Sequence, residues 1–362
     1  MIDCIVVGGG LLGMLTARYL HEGGAKVLLI ERGQLGNESS WAGGGILSPL
    51  YPWRYSPAVT HLATISQKLY SRFAEDLSRE TGIDPEWTNS GLLILDSNET
   101  ETALAWAQQN GASLEYLQGT AVRECEPSLA THFNEALWMP AIAQIRNPRL
   151  VKALRASLTM RGIPYHEHEK VIELVIQDGA VKGARSSHRR YSADRVLISA
   201  GAWSAQLGLQ NSQVPSIEPV QGQMIAYQAE PQLLQRIVLY KGRYLIPRRD
   251  GHLLAGSTLE YVGFNKATST EARNALHNAA LELVPAIARY PIKYHWCGLR
   301  PGSPEGIPTI GESADTKGLF YNCGHFRNGI VLGLSSARLA ADLVLGKTPQ
   351  VSPTPYALVG SQ

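Results

Sequence analysis

Residues 2–31 read IDCIVVGGGLLGMLTARYLHEGGAKVLLIE, and this stretch decides the fold. Ile2 to Val7 is a short apolar run rich in β-formers and reads as a fully buried strand. Leu11 to Leu20 carries helical spacing, and Lys26 to Glu31 is a second buried strand. Strand, helix and strand within about 30 residues make one βαβ unit, with parallel strands and a right-handed crossover. The turn after the first strand holds Gly8, Gly10 and Gly13 in G-x-G-x-x-G spacing. The first glycine permits a tight turn, the second lets backbone approach a pyrophosphate, and the third lets helix and strand pack closely. Unbonded N–H groups at the helix start, around Leu11 and Leu12, favour the phosphates. Glu31 stands 21 residues past Gly10, where a carboxylate accepts hydrogen bonds from ribose hydroxyls and repels a 2′-phosphate. Ala17, Leu20, Gly24 and Val27 complete the longer form of the pattern.

Working outward, a second glycine-rich element, SSWAGGGILSP from Ser39 to Pro49, follows directly on the ribose-binding acid. Its small residues let backbone lie flat against a ring such as an isoalloxazine. The run VLISAGAWS from Val196 to Ser204 repeats the strand–glycine–helix turn and suits a second approach to the nucleotide. Both features favour FAD over NAD. The candidate cofactor contacts on this side are Gly8, Gly10, Leu11, Leu12, Gly13, Glu31, Arg32, Ser39, Ser40, Gly43, Gly44, Gly45, Ile46, Val171 and Gly201.

The rest of the chain alternates in character. A long helix is expected over 56–80, and Asn147 followed by Pro148 reads as an N-cap and first turn of a helix running to Arg161. Val171 to Gln177 and Ala180 to Arg185 read as a hairpin joined at Asp178-Gly179. Mostly strands fill 217–300, with one helix near 270–284. The stretch Ile330 to Leu345 is apolar almost all round and reads as a buried helix. These features place the chain in the α/β (α+β) class. The expected architecture is a Rossmann-like FAD-binding domain (1–85, 140–220 and 300–362) interleaved with an antiparallel β-sheet substrate domain (86–139 and 221–299).

Composition narrows the partners. The 362 residues carry 33 Lys and Arg against 31 Asp and Glu, a net charge of +2. That balance offers no footprint for nucleic acid and no polybasic face for a membrane. Charged residues are 18%, below the usual share of about 25%, which fits a subunit interface in a homo-oligomer, a dimer or tetramer. Cys4, Cys125, Cys297 and Cys323 are too scattered for a CxxC pair or a zinc site and read as free thiols of a cytoplasmic protein. No apolar run reaches the roughly 18 residues of a membrane span.

Two further motifs carry a resemblance. WCGLRPGSPEGIPTIG (Trp296 to Gly311) and GHFRNGIVLG (Gly324 to Gly333), with the weaker YLIPR (Tyr244 to Arg248), make the chain similar to the D-amino-acid oxidase and glycine oxidase family of FAD enzymes, nearly end to end. The resemblance implies noncovalent FAD and oxidation of the carbon–nitrogen bond of a small amino acid or amine, such as glycine, sarcosine or D-alanine. The products would be an imine or 2-oxo acid, ammonia and hydrogen peroxide, with oxygen as acceptor and a possible hand-over of the imine to a thiazole synthase in thiamine biosynthesis. Arg300 matches the arginine that grips the substrate carboxylate, Tyr244 the tyrosine beside it, and Arg327 an arginine near the pocket. Leu259 matches a pocket position that is often methionine. Arg300, Arg327, Asn328, Gly329, Ile330 and Val331 are implied on the flavin side, and Gly44, Gly45 and Ile46 on the other face of the ring. His325 is read as structural. Related sarcosine oxidases attach FAD to a cysteine that would fall at Gly298; Cys297 is one position away and faces oppositely if it lies on a strand. A planar guanidinium can make two parallel hydrogen bonds to a carboxylate, which suits Arg300 to its implied role. The alternatives are a broader D-amino-acid oxidase or dehydrogenase and a tRNA-modifying FAD domain.

Overall fold

The opening βαβ unit is present as read: β1 (Ile2–Val7), α1 (Leu11–Glu22) and β2 (Val27–Ile30), with the two strands parallel. The protein is described by a computed structural model covering residues 2–96, 98–207 and 214–358. In the first sheet β1 lies between β2 and the parallel strand Arg190–Ile198, whose far side carries Leu319–Cys323 and then Thr309–Glu312. Tyr165–His166 extends the other edge. Successive residues of β1 serve opposite faces. Cys4 and Val6 pack under α1 and the helices Pro57–Thr81, Asn147–Met160 and Gly329–Val344, while Ile5 and Val7 pack under the hairpin Val171–Gln177/Ala180–Ser186. Burial on both faces is why these strands read as unbroken apolar runs. At the hairpin turn Asp178 and Gly179 take φ of 51° and 70°, the left-handed pair such a turn requires.

The second sheet has eight strands, in the spatial order Ile292–Gly302, Glu218–Gln228, His252–Gly256, Arg243–Pro247, Ile237–Tyr240, Leu92–Ile94, Glu135–Met139 and Glu115–Gln118. It is antiparallel, as expected, apart from one pair in which Ile237–Tyr240 runs parallel to Leu92–Ile94. Helix Thr270–Leu283 covers one face through Leu276, Ala280 and Leu283. The opposite face buries Met224, Tyr244 and Ile246 against Ile46, Leu50 and Tyr51, the segment that follows the second glycine run. That contact sets the substrate-side sheet over the nucleotide-side sheet.

Two local expectations are corrected. Asn147 is the first residue of its helix rather than the cap, which is Arg146. The Asn147 amide donates to Ser40 O at 2.9 Å, and this tertiary bond takes the side chain away from capping. The strand expected to begin at Val196 begins at Arg190, because the chain first pairs with the hairpin before entering the central sheet. Among the described residues no helix is long and apolar enough to cross a membrane.

Candidate active site

One cavity of about 360 Å³ runs between the two sheets. Its wall includes Gly8, Gly10, Leu11, Leu12, Glu31, Arg32, Ser39, Ser40, Gly43, Gly44, Gly45, Ile46, Val171, Gly201, Tyr244, Arg300, Arg327, Asn328, Gly329 and Ile330. Stretches far apart in sequence thus share one surface. Three predicted residues stand elsewhere. Gly13 lies behind the wall, where a Cβ would fall 1.9 Å from Gly8 O, so its part is to let α1 press on the first turn. Val331 is buried in the helix core. Leu259 is 45% exposed and outside the wall: past Gly256 the chain still pairs with the strand Glu218–Gln228, Glu260 with Gln221, and leaves Leu259 in solvent; Met224 supplies a thioether instead, 3.8 Å from Tyr244 Oη.

At the nucleotide end, Gly8 has φ of 105°, and a Cβ on it would meet Ser199 O at 2.4 Å. A Cβ on Gly10 would touch only Ser40 Oγ, at 3.2 Å, which leaves its backbone open to a ligand. The Glu31 carboxylate accepts from Gly9 N at 2.6 Å and Gly33 N at 2.8 Å, one oxygen each, and keeps further lone pairs for a ribose. Ser40 Oγ accepts from Leu11 N at 2.9 Å and so caps α1, whose own cap residue is Gly10. Arg32 stacks 3.4 Å from the Trp203 ring centroid and pairs with Glu38 at 2.9 Å. Four buried polar atoms, Asn147 Oδ1, Asn322 Oδ1, His325 Nε2 and Asn328 Nδ2, have no partner among the described residues, and all but Asn147 belong to the wall. Buried polar groups are normally bonded, so this set fits a polar ligand such as FAD.

At the other end, the Arg300 guanidinium donates from Nη1 to Gln221 O at 3.3 Å and Thr258 O at 3.2 Å, and from Nη2 to Ser257 Oγ at 2.7 Å. It lies against Gly222, where a Cβ would come within 2.1 Å of Nη2. Burial lowers its pKa, with Tyr244 opposing and Arg327 reinforcing that shift, and the group remains charged. The Tyr244 ring packs over Gly44 and Gly256. Gly298 belongs to the wall, whereas Cys297 Sγ turns away and donates to Lys266 O at 2.8 Å.

The sequence reading missed Gly222, Ser257 and Arg248. Arg248 is buried and donates to Gly44 O at 2.7 Å, Gln144 Oε1 at 2.6 Å and Ile145 O at 3.2 Å, which fixes the second glycine run. An arginine closing the apolar strand run YLIP was the available signal.

Burial pushes the His325 pKa down to about 3, so its imidazole is neutral at physiological pH. Between about pH 6.5 and 3 the unfolded chain holds a proton here that the folded chain lacks. Stability is therefore lost as the pH falls through that window, by up to about 1.4 kcal/mol per unit. Urea unfolding at about pH 7 and pH 5 should show a smaller decline for His325→Gln than for the parent. Equal declines would mean that the native imidazole is already protonated.

A family model described as FAD dependent oxidoreductase matches residues 3–343. A glycine oxidase of Pseudomonas aeruginosa is 47% identical over 357 residues, and one of Pseudomonas putida 45% identical over the same length, with 98% of each chain covered in both cases. The crystal structure of glycine oxidase from Geobacillus kaustophilus superposes with a TM-score of 0.93 at 29% identity, over 99% of both chains. With a match of that extent joined to a cavity built from the dinucleotide turn, this chain belongs to the DAO family of FAD dependent oxidoreductases.

Proposed function

We propose that the protein is an FAD-dependent glycine oxidase, converting glycine, oxygen and water to glyoxylate, ammonia and hydrogen peroxide. The observation that carries this reading is the Arg300 guanidinium, held by three acceptors at the cavity wall beside Tyr244 and bound to no carboxylate of the described residues. The near-half identity to two glycine oxidases supports the same substrate. FAD, when bound, supplies the hydride acceptor that oxygen regenerates. Gly8, Gly10, Leu11, Leu12, Glu31, Ser40 and Val171 would hold its nucleotide, and Gly44, Gly45, Ile46, Asn328, Gly329 and Ile330 its ring.

The chain's own contribution is placement. Arg300 clamps the carboxylate with paired charge-assisted hydrogen bonds, and Tyr244 Oη closes on the same group. Fixing the carboxylate fixes the α-carbon, and such positioning lowers a barrier more than any single proton transfer available here. Among the described residues no carboxylate is bonded to Arg300 or Tyr244, and hydride transfer needs no strong base when the amine arrives neutral. Ile46, Leu50, Met224 and Ile330 keep the wall apolar and water scarce. The unbonded N–H groups at the start of the Gly329–Val344 helix turn a positive end toward the cavity, which favours a developing anion.

Mixing the yellow holoprotein with glycine without oxygen should bleach the flavin, and admitting air should restore the colour with formation of peroxide. A flavin that stays oxidised with millimolar glycine would overturn the substrate. The reading extends to a cytoplasmic homo-oligomer, supported by free thiols and by the exposed Leu259, Tyr261, Val262 and Phe264 on one segment. It also extends to delivery of the imine to a thiazole synthase. A Nostoc protein named bifunctional ThiO/ThiG supports this: it is 29% identical to the chain over 52% of its own length.

A further inference from the structure

The segment that follows Gly256 departs from a regular ladder where it meets Arg300. Along the strand Glu218–Gln228, Met224 stands opposite Gly256, and Gln221 stands opposite Glu260. Three steps on this strand therefore face four on the other, so one residue is extra on the Gly256 side and the pairing bulges. Gln221 and Glu260 exchange both backbone bonds, Gln221 N to Glu260 O at 2.9 Å and Glu260 N to Gln221 O at 3.0 Å. Two residues further on, the same antiparallel register calls for a like exchange between Gln223 and Thr258. Only half of it forms between backbones, Thr258 N donating to Gln223 O at 3.2 Å. The other half goes to a side chain: Gln223 N donates to Thr258 Oγ1 at 2.8 Å.

That change of acceptor frees the Thr258 carbonyl. The Arg300 guanidinium crosses the strand between them over Gly222, and the freed carbonyl accepts from its Nη1 at 3.2 Å. Ser257, inside the bulge, presents its hydroxyl to Nη2 at 2.7 Å. The frame around the exchange is fixed. Gln223 Oε1 accepts from Ser269 N at 2.9 Å, its Nε2 donates to Glu260 Oε1 at 3.0 Å, and Gln221, Gln223, Ser257 and Thr258 are all buried. A buried N–H needs a partner. Without the Thr258 hydroxyl, the Gln223 amide has one at hand in the Thr258 carbonyl that the register first assigns to it. Arg300 Nη1 would then keep only Gln221 O, at 3.3 Å.

We propose that Thr258 is a positioning residue for the Arg300 clamp. Its hydroxyl takes the place of its own carbonyl in the sheet, and the carbonyl so released holds the guanidinium at the angle that receives the substrate carboxylate. Thr258 lies outside the cavity wall and acts through Arg300. The proposal rests on the reading of Arg300 as the α-carboxylate clamp.

The test uses purified holoenzyme, with glycine as substrate and acetate, a carboxylate without the amine, as competitor. Thr258→Val keeps the shape and removes the acceptor. KM for glycine and the inhibition constant of acetate should each rise at least about fivefold, while kcat falls by a smaller factor and FAD content matches the parent. Thr258→Ser keeps the hydroxyl and should bring both constants back to near the parent. A role confined to folding would lower the thermal stability or FAD content of Thr258→Val and leave acetate binding where it was. That result overturns the proposal, as does an equal rise in Thr258→Ser. Arg300→Leu, measured beside them, separates the two readings. If it binds acetate as tightly as the parent, the clamp itself is wrongly assigned; if it loses acetate while Thr258→Val does not, only the part given to Thr258 falls. Should Thr258→Val not fold, Thr258→Cys decides on the same constants, since a thiol sulfur is a weak acceptor.

Discussion

Arg300→Leu is expected to lower kcat/KM for glycine by about 30- to 5,000-fold, the equivalent of roughly 2 to 5 kcal/mol of lost carboxylate binding and orientation. The geometry sets the size of the effect. Arg300 is held by Gln221 O, Thr258 O and Ser257 Oγ, from two separate stretches of chain, so its guanidinium is fixed before substrate arrives. Little entropy remains to be lost on binding, and the donors not used by those partners are free for a carboxylate. Arg300→Lys keeps the charge but not the fork, and should recover only part of the loss. Gly222→Ala tests the same placement without touching the arginine. Its Cβ would intrude to 2.1 Å from Nη2, so the guanidinium must move and KM for glycine should rise while FAD stays bound. Steady-state oxygen uptake measures all three. An Arg300→Leu enzyme of near-parental kcat/KM and normal FAD content would remove Arg300 from the substrate site.

How much of this site the sequence disclosed depends on whether a residue's role is local. Gly13 was legible because its constraint lies within its own βαβ unit, where it meets Gly8 O five residues away, whereas the close neighbours of Gly8 and Gly10, Ser199 O and Ser40 Oγ, lie outside that unit. The Gly329–Val344 helix was legible because burial on nearly every side leaves no polar face to write. Arg300 came from a motif, but its support did not. Gln221 and Thr258 lie far off in sequence and come together only through the pairing of the sheet. Asn147 shows a local rule overruled. It has the right residue before a proline for a cap, yet the carbonyl of Ser40 competes for its side chain and wins. Leu259 shows the limit of alignment by position. Past the end of its strand the chain stays paired, Glu260 with Gln221, yet Leu259 itself lies exposed, and pocket shape passes to Met224. His325 reads as structural in one dimension, because its orphaned nitrogen is a property of its surroundings.

Arg248 carries the second large effect, although it is not part of the cavity wall. It is buried, and desolvation pulls its pKa down to about 10, so it stays charged at neutral pH and its burial costs free energy. Its hydrogen bonds to Gly44 O, Gln144 Oε1 and Ile145 O offset that cost. Arg248→Met removes the charge and its desolvation cost together but leaves three buried acceptors unpaired, each costing about 1 to 3 kcal/mol. Set against the relief from burying an arginine, a net loss of about 2 to 4 kcal/mol is expected in urea unfolding. The loss should fall unevenly on function. Gly44 and Ile46 form the cavity wall and Ile145 holds Gly45 from behind, so releasing all of them loosens the second glycine run before the rest of the sheet. FAD affinity, read by titrating apoprotein, should therefore drop at least about tenfold, whereas secondary structure by circular dichroism should be retained. Arg248→Lys can reach one of the acceptors and should lie between Met and the parent. Were the Met variant as stable as the parent, with FAD bound as tightly, the wall of this cavity would not depend on the arginine behind it.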